Sequence, residues 1–214
     1  AAEIAKAEAG SWFDAKFKGE PVPTLAQTLD FAKGTIGVYI EIKDSDPRDG
    51  KLLTTLMALG KEKGTLLPEH KDLVLKAIES DGTPNLELTR KVIELVRDRK
   101  MKEEIVIQSF SPIVCAIALI EAPEMRTELL ASGSDKNPMQ WPNFLSWAEM
   151  LNVHGFNINK NMATQGLIGG FHEKGVTIAA WTVNSDRQME RLAKQGVDFL
   201  ITDRPDLCLE VLGR

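Results

Sequence analysis

Hydrophobic and polar residues alternate along this chain in short blocks that predict strands and helices in turn. The strand-like blocks are apolar and rich in β-branched residues, and the helix-like blocks carry apolar residues three and four positions apart. Six strands are predicted, at residues 36–43, 105–110, 126–131, 151–157, 176–183 and 197–202. Helices are predicted before the first strand, between the strands and after the last one, at 88–96, 113–122, 144–150, 161–174 and 205–212 among other places.

Helix boundary signals support this order of elements. Thr24 precedes an apolar helical stripe and is predicted to be its N-cap, and Ser111 followed by proline predicts another helix start. The segment 185–188, Ser-Asp-Arg-Gln, has the spacing of a capping box, while Gly175 and Gly196 end the helices before the last two strands.

Strands that alternate with helices pack most simply as a parallel sheet with the helices outside, either as an open sheet or as a closed barrel. The glycine-rich phosphate-binding motifs of open nucleotide-binding sheets do not occur in the sequence, so the barrel is favoured. We expect one α/β domain over residues 1–214. The stretch 60–87 is longer than a simple crossover needs and is interpreted as an added excursion that contains a helix near 73–78.

Composition excludes several classes of protein. Hydrophobic residues make up 43% of the 214 residues, which is typical of a globular domain and not of a disordered chain. The formal charge of −5 gives no basic surface for nucleic acid, and the longest apolar run, 113–120, is too short to cross a bilayer. Cys115 and Cys208 lack metal-type spacing and are predicted to be buried free thiols, which slightly favours a cytoplasmic over an exported protein.

The first predicted strand carries two charged residues on one face. Side chains two positions apart in a strand point the same way, so Glu41 and Lys43 share one face while Ile40 and Ile42 share the other. The apolar face must pack against helices, which leaves a carboxylate and an ammonium at the carboxyl end of the strand, where parallel barrels hold their active sites. A mutual ion pair or a solvated strand end is the alternative interpretation.

Six short segments, in order along the chain, are similar to motifs of the glycerophosphodiester phosphodiesterase family. They are Ala-Gly-Ser-Trp-Phe at 9–13, Gly-Glu-Pro-Val-Pro-Thr-Leu at 19–25, Ile-Glu-Ile-Lys at 40–43, Gln-Ser-Phe at 108–110, Trp-Thr-Val-Asn at 181–184 and Ile-Thr-Asp-Arg-Pro at 201–205. Each segment is weak by itself. Together they are spread from residue 9 to residue 205, over nearly the whole chain.

This resemblance implies a TIM-type (β/α)8 barrel of which six strands are present, and an enzyme of lipid and glycerol metabolism that cleaves glycerophosphodiesters to glycerol 3-phosphate and an alcohol. It implies a divalent cation, Mg²⁺ or Ca²⁺, with Glu41 as one of three carboxylate ligands and Lys43 near the phosphate. Carboxylate oxygens suit such hard cations.

The resemblance also places three residues at the mouth of the barrel. Trp181 and Phe110 would form an apolar wall for the substrate, with plain core packing as the alternative for each. Ser109 would donate a hydrogen bond to the substrate, or else shape the turn that follows it. Thr202 and Asp203 are expected to cap the final helix rather than to contact substrate.

The chain departs from the family pattern in its first part. The family's His-Arg-Gly, Glu-x-Asp and His-Asp motifs do not occur upstream of residue 9, so no catalytic acid or base is assigned within this chain. His70, His154 and His172 lie in no family motif. We expect an N-terminal segment or an associated chain to supply the two further strands, because open barrel edges are unfavourable.

Three functions are compatible with these observations. The leading one is metal-dependent glycerophosphodiester hydrolysis, and the alternative is a non-catalytic family member that binds glycerophosphate-type ligands or has a structural role. A phosphate-binding aldolase or isomerase barrel fits the order of elements alone, but it leaves the six motifs unexplained.

Overall fold

The computed structural model of the protein describes residues 3–43, 49–133 and 141–213. Two short 3₁₀ helices, Ile4–Lys6 and Ala15–Phe17, precede the main elements. In chain order the described residues then form α1 Leu25–Ala32, β1 Val38–Glu41, α2 Asp49–Lys63, α3 Lys71–Asp81, α4 Pro84–Asp98, β2 Ile105–Ser109, α5 Pro112–Glu121, β3 Arg126–Ala131, α6 Trp141–Leu151, β4 Gly155–Asn159, α7 Gln165–His172, β5 Thr177–Trp181, α8 Asp186–Gln195, β6 Phe199–Leu200 and α9 Pro205–Val211.

The six strands form one parallel sheet in the order β1-β2-β3-β4-β5-β6, so each strand pairs with its neighbours in sequence. This is the winding of a TIM-type barrel, and the predicted fold class with six of eight strands is confirmed. The rings of Tyr39 on β1 and Phe199 on β6 meet edge to face with centroids 6.3 Å apart, which shows that the sheet is strongly curved.

Alternation along the strands separates an outer, helix-facing surface from an inner one. Residues such as Ile107, Leu129 and Phe156 are fully buried in the layer between strands and helices. The inner surface is unusually polar, since it carries Gln108 on β2 and Asn157 on β4. This inner surface holds the candidate site at its carboxyl end.

Several predicted helix caps are confirmed. Thr24 forms a complete capping box with Gln27, and Ser111 accepts a hydrogen bond from the backbone N–H of Val114. Gly196 ends α8 in a left-handed conformation, as expected for a residue without a Cβ atom. The capping box at 185–188 is wrong, because Ser185 occupies the N-cap of α8 without a side-chain hydrogen bond.

Several element boundaries differ from the sequence prediction. The strand predicted to start at residue 151 is wrong at its beginning, because Leu151 is the buried last residue of α6 and continues the apolar face of Trp147 and Ala148. The turn at Asn152, with φ of 53°, then leads to β4 at Gly155. The predicted helix 161–174 begins later, at Gln165, and the final strand has only two residues.

The excursion 60–87 belongs to the helical layer rather than projecting from it. It contains the end of α2, the whole of α3 and the start of α4. Val74 and Ile78 of α3 are fully buried in the same hydrophobic core as Ile113 and Ile117 of α5. The excursion therefore packs against α5, and its removal would expose that core.

Candidate active site

The carboxyl end of β1 has the side-chain arrangement that alternation predicts. Ile40 and Ile42 are buried, at 8% and 4% exposure, whereas Glu41 and Lys43 are exposed. A carboxylate and an ammonium therefore stand on the inner side of the sheet at its carboxyl end. The polar stretch 44–50 that follows is typical of a mouth loop; residues 44–48 lie outside the described residues, whereas Asp49 and Gly50 are wrong as loop residues because they begin α2.

Ser109 fixes the end of β1 to the end of β2. Its side chain is fully buried, and its hydroxyl donates to the carbonyl oxygen of Ile42 at 2.5 Å while accepting from the backbone N–H of Ser111 at 3.0 Å. These bonds favour the turn-shaping interpretation of Ser109. Its predicted contact with substrate stays a prediction.

Phe110 and Trp181 form an aromatic pair at the carboxyl end of the strands, while their predicted contact with substrate stays a prediction. Their rings are perpendicular, with centroids 5.5 Å apart, and both side chains are half-buried. The indole N–H of Trp181 donates to the carbonyl oxygen of Asn157 at 3.1 Å. The pair is thus held as a wall with one side in the core and the other open, a geometry that suits an apolar or alcohol group of a ligand.

An amide pair inside the sheet was not predicted from the sequence. Asn157 Nδ2 donates to Gln108 Oε1 at 2.8 Å, so the pair joins β4 to β2. Asn157 is fully buried and Gln108 is 8% exposed. The signal that could have found them is the same alternation, since both residues interrupt apolar strands at inward-facing positions.

A second polar group lies nearer the amino end of the strands. Glu128 is fully buried and accepts from Arg126 Nε at 2.5 Å, and the Tyr39 hydroxyl lies 3.5 Å from the same oxygen, Oε1. Burial and the Glu128 charge raise the pKa of Tyr39, which keeps its hydroxyl protonated. Arg126 also donates to Thr177 Oγ1 and to the carbonyl oxygen of His154. This floor cluster, Tyr39, Arg126, Glu128 and Thr177, joins β1, β3 and β5 around the Arg126–Glu128 ion pair.

The three histidines do not gather at the mouth. His154 directly precedes β4 at the amino end of the sheet, and its Nδ1 accepts from the backbone N–H of Thr127 at 3.0 Å. Burial and the nearby Arg126 charge lower the pKa of His154. His172 lies in the last turn of α7, 2.8 Å from a carboxylate oxygen of Asp198, and His70 precedes α3. We assign none of them as an acid or base.

Thr202 and Asp203 do not cap the final helix as predicted. Both bind Asn184 instead: its Oδ1 accepts from the Thr202 hydroxyl at 3.1 Å and from the Asp203 backbone N–H at 2.9 Å. Asn184 Nδ2 also donates to the Asp203 carboxylate at 2.7 Å. The N-cap position of α9 is Arg204, without a side-chain cap. These bonds join the loops that follow β5 and β6.

The described residues do not form a complete cation site. No group of three or more His, Cys, Asp or Glu side chains in the described ranges could hold a metal ion. Glu41 has the right chemistry for one ligand, an exposed carboxylate at the mouth. Its role as a metal ligand stays a prediction.

Comparison with known proteins identifies the family. The sequence profile described as the glycerophosphoryl diester phosphodiesterase family matches residues 73–207. This chain belongs to that family. The suspected family is therefore confirmed, and the chain is a member of a family of phosphodiester hydrolases.

Individual relatives agree with this placement. The chain is 27% identical over 212 residues to a glycerophosphodiester phosphodiesterase of Caldanaerobacter subterraneus, with 99% of this chain and 70% of the relative covered. It is 25% identical over 225 residues to one from Bacillus subtilis, with 96% of this chain and 62% of the relative covered. The chain thus spans about two thirds of the length of these two relatives.

Solved structures confirm the fold. A phosphodiesterase from Oleispira antarctica, solved in complex with the product sn-glycerol-3-phosphate, superposes with a TM-score of 0.71 at 17% identity, covering 100% of this chain and 70% of that one. A glycerophosphodiester phosphodiesterase from Parabacteroides distasonis superposes with a TM-score of 0.66 at 20% identity, covering 99% of this chain and 70% of that one.

None of the helices within the described ranges is long and apolar enough to cross a membrane.

Proposed function

We propose that this member of the glycerophosphodiester phosphodiesterase family hydrolyses glycerophosphodiesters, such as glycerophosphocholine, to glycerol 3-phosphate and an alcohol. The reaction uses Mg²⁺ or Ca²⁺. The proposal rests on the placement of Glu41 and Lys43. Both side chains lie on the inner side of the sheet, at the carboxyl end of a strand in a barrel of this family.

Each described mouth residue has a part in this proposal. Glu41 contributes one carboxylate ligand to the cation, which would neutralise phosphate charge when bound. Lys43 adds a positive charge that stabilises the developing negative charge on phosphate oxygens. Phe110 and Trp181 hold the glycerol or alcohol portion, and Ser109 keeps β1 and β2 in register beneath them. Proton transfer is assigned to no described residue.

The edges of the sheet support a second part of the proposal. Within the described residues β1 and β6 each pair on one side only, and Phe199 and Tyr39 beside these edges remain 42% and 38% exposed. Unpaired edges favour association with further strands. We propose that a further segment of the polypeptide, or an associated chain, pairs there and completes the barrel.

The test is release of glycerol 3-phosphate from glycerophosphocholine, measured with added Mg²⁺, with added Ca²⁺ and with a chelator. We expect activity to be lost in the chelator and in Glu41→Ala. Added cation should restore the activity of the unaltered protein but not that of Glu41→Ala. Glu173→Ala, which removes an exposed carboxylate at the opposite end of the domain, is the matched control. Activity that survives both the chelator and Glu41→Ala contradicts the metal role of Glu41.

The non-catalytic alternative rests on one observation, the lack of a group of three metal-ligating side chains among the described residues. It predicts that the protein binds glycerol 3-phosphate but releases none from glycerophosphocholine under any cation. Measuring binding and turnover on the same sample separates the two functions.

A further inference from the structure

Gln108 lies next to Glu41 on the inner surface of the sheet. The two residues are register partners on the neighbouring strands β1 and β2. They also have the same orientation, because Ile40, Ile42, Ile107 and Ser109, which flank them, are buried on the outer side. The Gln108 carboxamide is therefore beside the carboxylate that the proposed reaction uses.

The orientation of this carboxamide is fixed from one side. Its oxygen accepts from Asn157 Nδ2 at 2.8 Å, and the Asn157 side chain is fully buried, while its backbone carbonyl oxygen accepts from the Trp181 indole. The Gln108 nitrogen, Nε2, has no hydrogen-bond partner within the described part of the chain. Gln108 retains 8% exposure, whereas Asn157 has none, so a molecule in the mouth can reach Gln108 but not Asn157.

A nearly buried N–H group without a partner favours a ligand that brings an acceptor. The non-bridging oxygens of a phosphodiester only accept hydrogen bonds, and they carry the charge that strengthens such a bond. Lys43, two residues along β1 on the same face as Glu41, adds a positive charge for the same group.

We propose that Gln108 is a further substrate-binding residue, whose amide N–H donates to a phosphate oxygen, and that Asn157 is a positioning residue that holds this amide. The inference rests on the proposed function and deepens it, since it assigns phosphate recognition to a residue on β2. It also explains why two amides occupy inward positions of apolar strands, where a leucine would otherwise pack without a hydrogen-bonding requirement.

The experiment measures binding rather than turnover. The unaltered chain, Gln108→Met and Gln108→Glu are titrated with sn-glycerol 3-phosphate and, separately, with inorganic phosphate by isothermal calorimetry. Loss of one hydrogen bond to a charged group predicts about a tenfold or larger weakening for both ligands in Gln108→Met. Gln108→Glu should weaken binding further, because it replaces the donor by a second negative charge. Gln165→Glu makes the same chemical change at an exposed position on α7 and should bind like the unaltered chain.

Asn157 is tested through its effect on Gln108. Asn157→Ala should weaken phosphate binding in the unaltered background but have no additional effect in Gln108→Met, because the amide that it positions is then absent. Urea unfolding of each variant checks the fold. A purely structural role for Asn157 would lower the urea midpoint while leaving the affinity of the folded protein unchanged, and this result would overturn its positioning role.

The outcomes separate this inference from the proposed function. Equal affinities of Gln108→Met and the unaltered chain for both ligands overturn the role of Gln108 and leave the hydrolysis proposal standing. Weakening for glycerol 3-phosphate but not for inorganic phosphate also overturns it, since Gln108 would then contact the glycerol part. An unaltered chain that binds neither ligand overturns phosphate recognition by this half of the site, whereas the hydrolysis proposal is decided by release of glycerol 3-phosphate.

Discussion

Gly155 leaves the room that the buried Glu128 side chain occupies, and Gly155→Ala tests how firmly the floor cluster is held. A Cβ atom at position 155 would lie 2.7 Å from Glu128 Cδ and 2.8 Å from its Oε1. The end of a glutamate can normally swing away from such a clash. Here it is fully buried and bonded to Arg126, so moving it breaks a charged hydrogen bond inside the sheet.

The expected loss follows from two limits. Adding a methyl group to a packed interior costs about 1–3 kcal/mol when the surroundings adjust. Breaking a buried ion pair by displacing one partner costs about 3–5 kcal/mol. Because Arg126 is partly exposed and can follow the carboxylate, we expect about 2–4 kcal/mol, between these limits. For a domain of this size that corresponds to a fall in Tm of about 2–4 °C per kcal/mol.

Urea unfolding followed by far-UV circular dichroism measures this loss. Gly169→Ala is the matched control, because its Cβ atom would meet nothing within 4 Å in the middle of α7, and it should stabilise the protein by about 0.5–1 kcal/mol. In a Glu128→Ala background the clash is gone, so Gly155→Ala should cost less than about 1 kcal/mol. An equal loss with and without the Glu128 side chain would show that contact with Glu128 is not the cause of the destabilisation.

Two further predictions concern single side chains. Burial lowers the pKa of His154, so the unfolded state binds more protons than the folded state. The free energy of unfolding should therefore fall as the pH drops below about 6.5 and recover above it. His154→Asn should flatten this dependence in urea titrations across that range, and an unchanged slope would contradict the prediction. Cys115 is fully buried with its thiol pKa raised to about 12, whereas Cys208 is half-buried. A disulfide reagent at mildly alkaline pH should therefore modify one thiol in the folded protein and two after unfolding. Two rapidly reacting thiols in the folded protein would contradict the burial of Cys115.

Local signals in the sequence were enough to predict most elements of the fold. Thr24 and Ser111 begin helices because their side chains satisfy backbone N–H groups within a few residues, so no distant contact is needed. Leu151 was misplaced because an apolar residue after a helical stripe fits either a last helical turn or a strand. Only its packing beside Trp147 and Met150 in the core decides between them.

The candidate site divides in the same way. Glu41 and Lys43 were found from alternation along a single strand, and their exposure matches that prediction. Alternation gives only the inward positions of Gln108 and Asn157; their hydrogen bond spans two strands that are separated by a third, and no local pattern gives that register. The hydrogen bond from the Ser109 hydroxyl to the Ile42 carbonyl oxygen joins residues 67 positions apart in sequence, so no local pattern could have predicted it either.

The perpendicular contact of Trp181 with Phe110 gives the mouth an optical signal of its own. The indole is half-buried, and its N–H is bonded to a carbonyl oxygen, so its emission and near-ultraviolet dichroism depend on what lies beside it. Among the four tryptophans, Trp12 is 82% exposed and contributes mainly a solvent-like background. Replacing Trp12 with phenylalanine would remove that background, and occupancy of the mouth could then be followed without any attached label.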